Sequence, residues 1–153
     1  MNVKSQSSFE LLVTMTFGLA ILLPLVVIAF LQLSNSNASL SSAGAQQAAS
    51  KLSSIASLVG AEGPPARQFV QIQVPSDVQY IFVGTSSDGI GHEIIFVIRV
   101  PDGVSYVTSY SPVNVSGNLG GQVNQGTYII NVSAEANCPS NLNLPCVYMS
   151  PVI

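Results

Sequence analysis

The stretch Leu11-Leu-Val-Thr-Met-Thr-Phe-Gly-Leu-Ala-Ile-Leu-Leu-Pro-Leu-Val-Val-Ile-Ala-Phe-Leu-Gln-Leu33 decides how this chain is read. Its twenty-three residues carry no charge. As a helix at ~1.5 Å per residue it spans roughly 35 Å, enough for the ~30 Å hydrocarbon core of a bilayer. Ahead of it stand a short polar leader, Met1-Asn2-Val3-Lys4-Ser5, and then Gln6-Ser7-Ser8-Phe9-Glu10. A single carboxylate therefore sits at the mouth of a membrane-length run, with one lysine before it.

Three fates fit such a segment. A secretory signal has an apolar core of about 7–15 residues and a small-residue cleavage site close behind it. This run is longer, holds Pro24, and its nearest such site, Ala43-Gly44-Ala45, lies ten residues past Leu33. A permanent single-pass anchor is the second fate, with Lys4 biasing the N-terminus toward the cytoplasm. Neither uses Glu10, a carboxylate that is costly beside lipid unless it lies at the headgroups or is paired. If the leader is cut between Ser5 and Gln6, the new α-ammonium of one subunit can pair with Glu10 of a neighbour. Such a pair sets register more than it adds stability.

Lys4-Ser5-Gln6-Ser7-Ser8-Phe9-Glu10, followed at once by the apolar run, resembles the class III signal peptide of archaeal type IV pilins and pilin-like proteins. Gln6, Ser8 and Glu10 match its Gln-x-Ser-x-Glu start, while Ser5 stands where Gly or Ala is common. The resemblance implies cleavage before Gln6 by a prepilin peptidase. It implies a membrane-held precursor, extraction by pilus assembly machinery, and a homo-oligomeric helical filament outside the cell whose core is the apolar helix. Surface adhesion would be the filament's role. The alternatives are an anchored β-domain that binds a surface ligand without polymerising, and a minor pilin or archaellum-associated component.

Beyond Leu33 the chain turns to Ser, Asn, Ala and Gln, yet Leu33, Leu40, Ala48, Leu52, Ile55 and Val59 recur at sums of three and four. The pattern predicts one helix over residues 6–60, kinked or opened at Pro24, with the stripe from Leu40 to Val59 as the seat for the head. A flexible polar linker over residues 34–50 is the competing reading. Gly60, Gly63 and Pro64-Pro65 end the helix.

Residues 66–153 read as strands. Gln68 to Val74 alternates with period two, placing Val70, Ile72 and Val74 on one face. Val78 to Val83 follows, then Glu93 to Val100, apolar on both faces until Arg99, as a central strand would be. Pro101-Asp102-Gly103 predicts a hairpin into Val104–Tyr110. Val113–Val115, Thr127–Ser133 and an edge strand Val147–Val152 complete the set. The expected fold class is α+β: leader 1–5, helix 6–60 with its membrane or filament-core segment 11–33, and a small antiparallel sheet or sandwich as a head. Of Tyr106, Tyr110 and Tyr128, alternation puts at least one in the core.

Only 7% of residues are charged, against ~25% in ordinary soluble domains. Four Lys and Arg against seven Asp and Glu exclude a nucleic-acid surface, which needs many cations. Cys138 and Cys146, eight positions apart near the C-terminus, suit a disulfide in an exported chain or two free thiols. A metal site lacks ligands, since the one histidine, His92, is distant in sequence. His92 is expected to be an exposed loop residue. Asp77, Asp88 and Asp102 occupy turn positions, and Gly117-Asn-Leu-Gly-Gly is no phosphate loop. No enzyme and no cofactor is expected. Asn37, Asn114 and Asn131 begin N-x-S acceptor sequences, with Asn114 preferred.

Overall fold

The computed structural model describes residues 3–85, 89–101, 103–141 and 143–152, with side chains from residue 9 onward. The chain divides into two units, one ending at Asn37 and one beginning at Ala38. A single helix, α1 (Val3–Glu62), runs through both and passes Pro24 unbroken. The polar stretch 34–50 is helical throughout, so the linker reading is excluded. Gly63 ends the helix in a left-handed conformation, φ 71°. Its N–H bonds to the Val59 carbonyl at 3.1 Å, which satisfies one of the acceptors that a helix end leaves open.

In the second unit six strands follow: β1 (Arg67–Val74), β2 (Val78–Gly84), β3 (Gly91–Val100), β4 (Gly103–Gly117), β5 (Gly126–Glu135) and β6 (Cys146–Pro151). They form one sheet in the order β1-β5-β6-β4-β3-β2. A flat sheet of that width would hold its edge strands roughly 24 Å apart. Yet β1 and β2 are joined by Pro75, Ser76 and Asp77 alone, a reach of at most about 14 Å. The sheet must therefore curl until its two edges approach. Asp77, at φ 66°, ties the corner by accepting the Arg99 N–H at 2.8 Å. Gly84, at φ 97°, could carry no side chain, because a Cβ there would lie 2.0 Å from the Gly89 carbonyl oxygen.

Inward side chains from every strand share one core with the helix. Val70, Ile72 and Val74 of β1 meet Ile81, Phe96, Ile98, Ile130, Val132 and Met149, all buried. The helix contributes Ala45, Ala48, Ala49, Leu52, Ala56 and Val59. Most of these are alanines, and small residues let a helix backbone come close to a sheet. Gly60 shows how close: a Cβ there would stand 2.9 Å from Val113 Cγ1. Polar ties fix the helix lengthwise. Ser41 Oγ meets Ser76 Oγ at 3.0 Å, Lys51 Nζ donates to the Gln71 carbonyl at 2.8 Å, and Ser53 Oγ donates to the Tyr110 carbonyl.

Several expectations change. Leu40 does not belong to the helix seat, being 70% exposed; the seat starts at Ser41. The sheet is mixed, because β4 and β6 pair in parallel. Residues 113–115 belong to the far end of β4, where, past an irregularity between Gly91 and Glu93, Val115 pairs with Gly91 of β3 on one side and Val147 of β6 on the other. The last strand lies inside the sheet between β5 and β4. Its Pro151 pairs opposite Ile130 at the strand end, where a missing N–H removes little of the ladder. His92 is a strand residue at the β3 irregularity, exposed, with Nδ1 3.1 Å from the Ser111 carbonyl. Asp88 and Asp102 lie outside the described residues.

Candidate functional site: an uncovered apolar helix segment

Among its described residues the first unit is helical, and its apolar side chains lie uncovered. Every large apolar residue from Phe9 to Leu33 is exposed, from 46% at Val13 to 72% at Phe17 and Phe30. No face is spared, as expected of a sequence apolar all round rather than along one stripe. A surface patch of a few hundred Å² already marks an interaction site on a soluble protein. This segment far exceeds that, and lipid or other apolar protein is a medium that could cover it. By length and composition α1 is able to cross a membrane.

Its few polar groups suit that medium. Thr14 Oγ1 donates to the carbonyls of Glu10 and Leu11, both at 3.0 Å, and Thr16 Oγ1 donates to Leu12 at 2.7 Å. Back-bonding of this kind satisfies a hydroxyl without water. Pro24 has no N–H, so the Ala20 carbonyl lacks its usual helical donor. Gly18 has open space around it, with nothing beyond its chain neighbours and the helix's own backbone within 4 Å of an added Cβ. Gly18 and Ala20 are thus small residues on a bare surface, where a neighbouring helix can approach closely.

Glu10 is exposed at the polar edge of this surface. It stands seven residues beyond Val3, the first helical residue, so the dipole term, confined to the first turn, does not reach it. Even after a cut before Gln6 it would be the fifth residue. Ser5, Gln6 and Ser8 lie in helical backbone whose side chains are outside the described residues.

The second unit carries the other marked residues. Cys138 and Cys146 form a disulfide, closing the loop in which the Cys138 N–H bonds to the Leu144 carbonyl at 2.9 Å. Asn37 is exposed on α1, whereas Asn114 and Asn131 are half-buried in β4 and β5. The Asn131 Oδ1 is buried and has no partner, so of the three Asn37 is the most accessible to a glycan. Tyr128 packs against the core and donates to the Asn124 carbonyl at 3.1 Å, while Tyr106 and Tyr110 are exposed.

A groove of about 420 Å³ brings His92 and Glu135 to the same wall as Asn114 and Cys146. Glu135 accepts a hydrogen bond from Ser133 Oγ at 2.8 Å. Among the described residues, no three His, Cys, Asp or Glu gather as a metal site would require. No protein family matches the chain, and neither a curated protein nor a solved structure matches it.

Proposed function

We propose that this chain is a structural subunit of an extracellular type IV pilus-like filament. It is held in the membrane as a precursor and polymerises through the apolar helix once the leader before Gln6 is removed. The observation that carries this reading is the fully bare segment from Phe9 to Leu33, beside a second unit that closes its own core. A segment that buries nothing within its own chain needs a partner, and the Gln6-Ser8-Glu10 pattern favours copies of itself over lipid alone.

In the filament each helix would exchange lipid for neighbouring helices. That exchange gains little hydrophobic energy, since lipid is as apolar as leucine. Helix packing, the Glu10–ammonium pair and the assembly motor would supply the drive. The mixed-sheet unit would form the outer layer and carry adhesion. An uncut single-pass anchor would use the same helix but has no role for Glu10.

Electron microscopy of sheared surface material, with peptide identification, tests the proposal. The expected result is filaments containing this chain, lost in Glu10→Ala although the variant still inserts into the membrane. Surface material holding the chain only as monomers overturns it.

A further inference from the structure

The face of the sheet turned away from the core is not polar along β2, β3 and β4. Cross-strand partners share a face, so the register gives its composition row by row. Tyr110 lies beside Glu93; Thr108 beside Ile95 and Phe82; Tyr106 beside Val97 and Tyr80; Val104 beside Arg99. Tyr106, Tyr110 and Val104 are 68%, 67% and 47% exposed. The rings of Tyr80 and Phe82 lie 4.2 Å apart, and His92 stacks on Tyr110 at 5.8 Å. The only charges in these rows are Glu93 at one end and Arg99 at the other, both exposed.

The order on β3 is acid, apolar, apolar, base, and that order is complementary to its own reverse. Sheets pack face to face with strands nearly aligned or reversed. A second copy related by a two-fold axis lying between the sheets and across the strands, midway between Ile95 and Val97, reverses the rows. On a face that curls away to either side the closest contacts lie along β3: Glu93 meets Arg99 of the other copy, and half-buried Ile95 faces the row of Val97, which is itself only 8% exposed between Tyr80 and Tyr106. The other in-plane axis, along the strands, stacks Glu93 on Glu93 and Arg99 on Arg99, which like-charge repulsion disfavours. We infer that this face is a self-complementary docking surface for a second copy of the chain, in the reversed orientation.

Three strands by four rows cover roughly 14 by 20 Å, well short of the about 800 Å² per partner of a stable complex. Single pairs are therefore weak, and the contact holds firmly only where many copies are arrayed. An isologous contact closes after two copies. It joins two filaments or two anchored chains and does not extend one, and it stands or falls independently of the filament reading.

Disulfide trapping of the full-length chain in detergent micelles tests it. Cys138 and Cys146 are already bonded to each other. Chains carrying Glu93→Cys and chains carrying Arg99→Cys are oxidised in three samples, each variant alone and an equal mixture of the two. Positions 93 and 99 of one chain are ~20 Å apart along the strand, so no bond forms within a chain. The expected result is at least about tenfold more cross-linked dimer in the mixture than in either variant alone. Adding Tyr106→Glu to both chains, which places a carboxylate in the apolar rows, removes that excess. Equal trapping in the mixture and the single variants overturns the inference, as does predominant trapping by Glu93→Cys alone or an excess unchanged by Tyr106→Glu.

Discussion

Two stretches of one helix have opposite surroundings. Between Phe9 and Leu33 the side chains are mainly Leu, Ile, Val, Phe and Met, and none is buried. Between Ser41 and Val59 the inward positions are mainly Ala and Ser, and they are almost wholly buried. Residue size follows from what each stretch must meet. A helix seated on its own sheet needs small residues, because a preformed neighbour fixes the spacing. A helix facing lipid is apolar on every side, with small residues such as Gly18 and Ala20 where another helix can come close. The more hydrophobic half is thus the one that contributes nothing to its own chain's core.

Substitutions on the two stretches should therefore diverge. The largest effect is expected at Leu52, fully buried: Leu52→Ala should destabilise the second unit by about 2–5 kcal/mol. Leu22→Ala should leave its thermal unfolding in detergent unchanged within about 0.5 kcal/mol. Near-UV circular dichroism during heating reads both. If Leu22→Ala cost as much as Leu52→Ala, the division between the two stretches would be lost.

Leu22→Lys should act the opposite way. A lysine at mid-segment opposes insertion by about 2.5–3.5 kcal/mol, while the unfolding midpoint of the second unit stays in place. Membrane flotation measures the first and calorimetry the second. Insertion at wild-type yield would show that the segment does not rely on lipid. Ala45→Leu, at a fully buried seat position, should cost about 1–3 kcal/mol by overpacking, whereas Ala29→Leu in the bare stretch should cost nothing measurable.

The smallest expected effect is at Lys51. Its ammonium occupies the Gln71 carbonyl on the open side of edge strand β1. Lysines in such places blunt sheet edges against unwanted pairing. Lys51→Met should lower stability by no more than about 1 kcal/mol, yet raise aggregation on storage, followed by light scattering. Unchanged scattering would remove the edge-guarding role.

The strands were legible because period-two alternation at Val70, Ile72 and Val74, and turn residues such as those at 101–103, are local signals. The aromatic outer face was half legible, since Ile95 and Val97 made β3 apolar on both sides. What escaped was non-local. Alternation says which way a side chain points, not which strand lies next to it, so residues 146–151 read as an edge although they enter between β5 and β4. The seat on α1 was misplaced at its start for a different reason. Leu40 dominates that end of the apolar stripe by size, while Ser41, Ala45 and Ala49, which make the contact, scarcely register as hydrophobic. The bare segment was legible in full, because twenty-three uncharged residues allow few other readings. The roles proposed for Gln6, Ser8 and Glu10 concern a second molecule, so no packing within one chain reports on them.

The most direct test of the account is the intact mass and N-terminal sequence of the protein taken from its native cell surface. The account predicts a chain that begins at Gln6 and keeps the whole run to Leu33. A chain that still begins at Met1, or one that has lost the apolar run altogether, would contradict it.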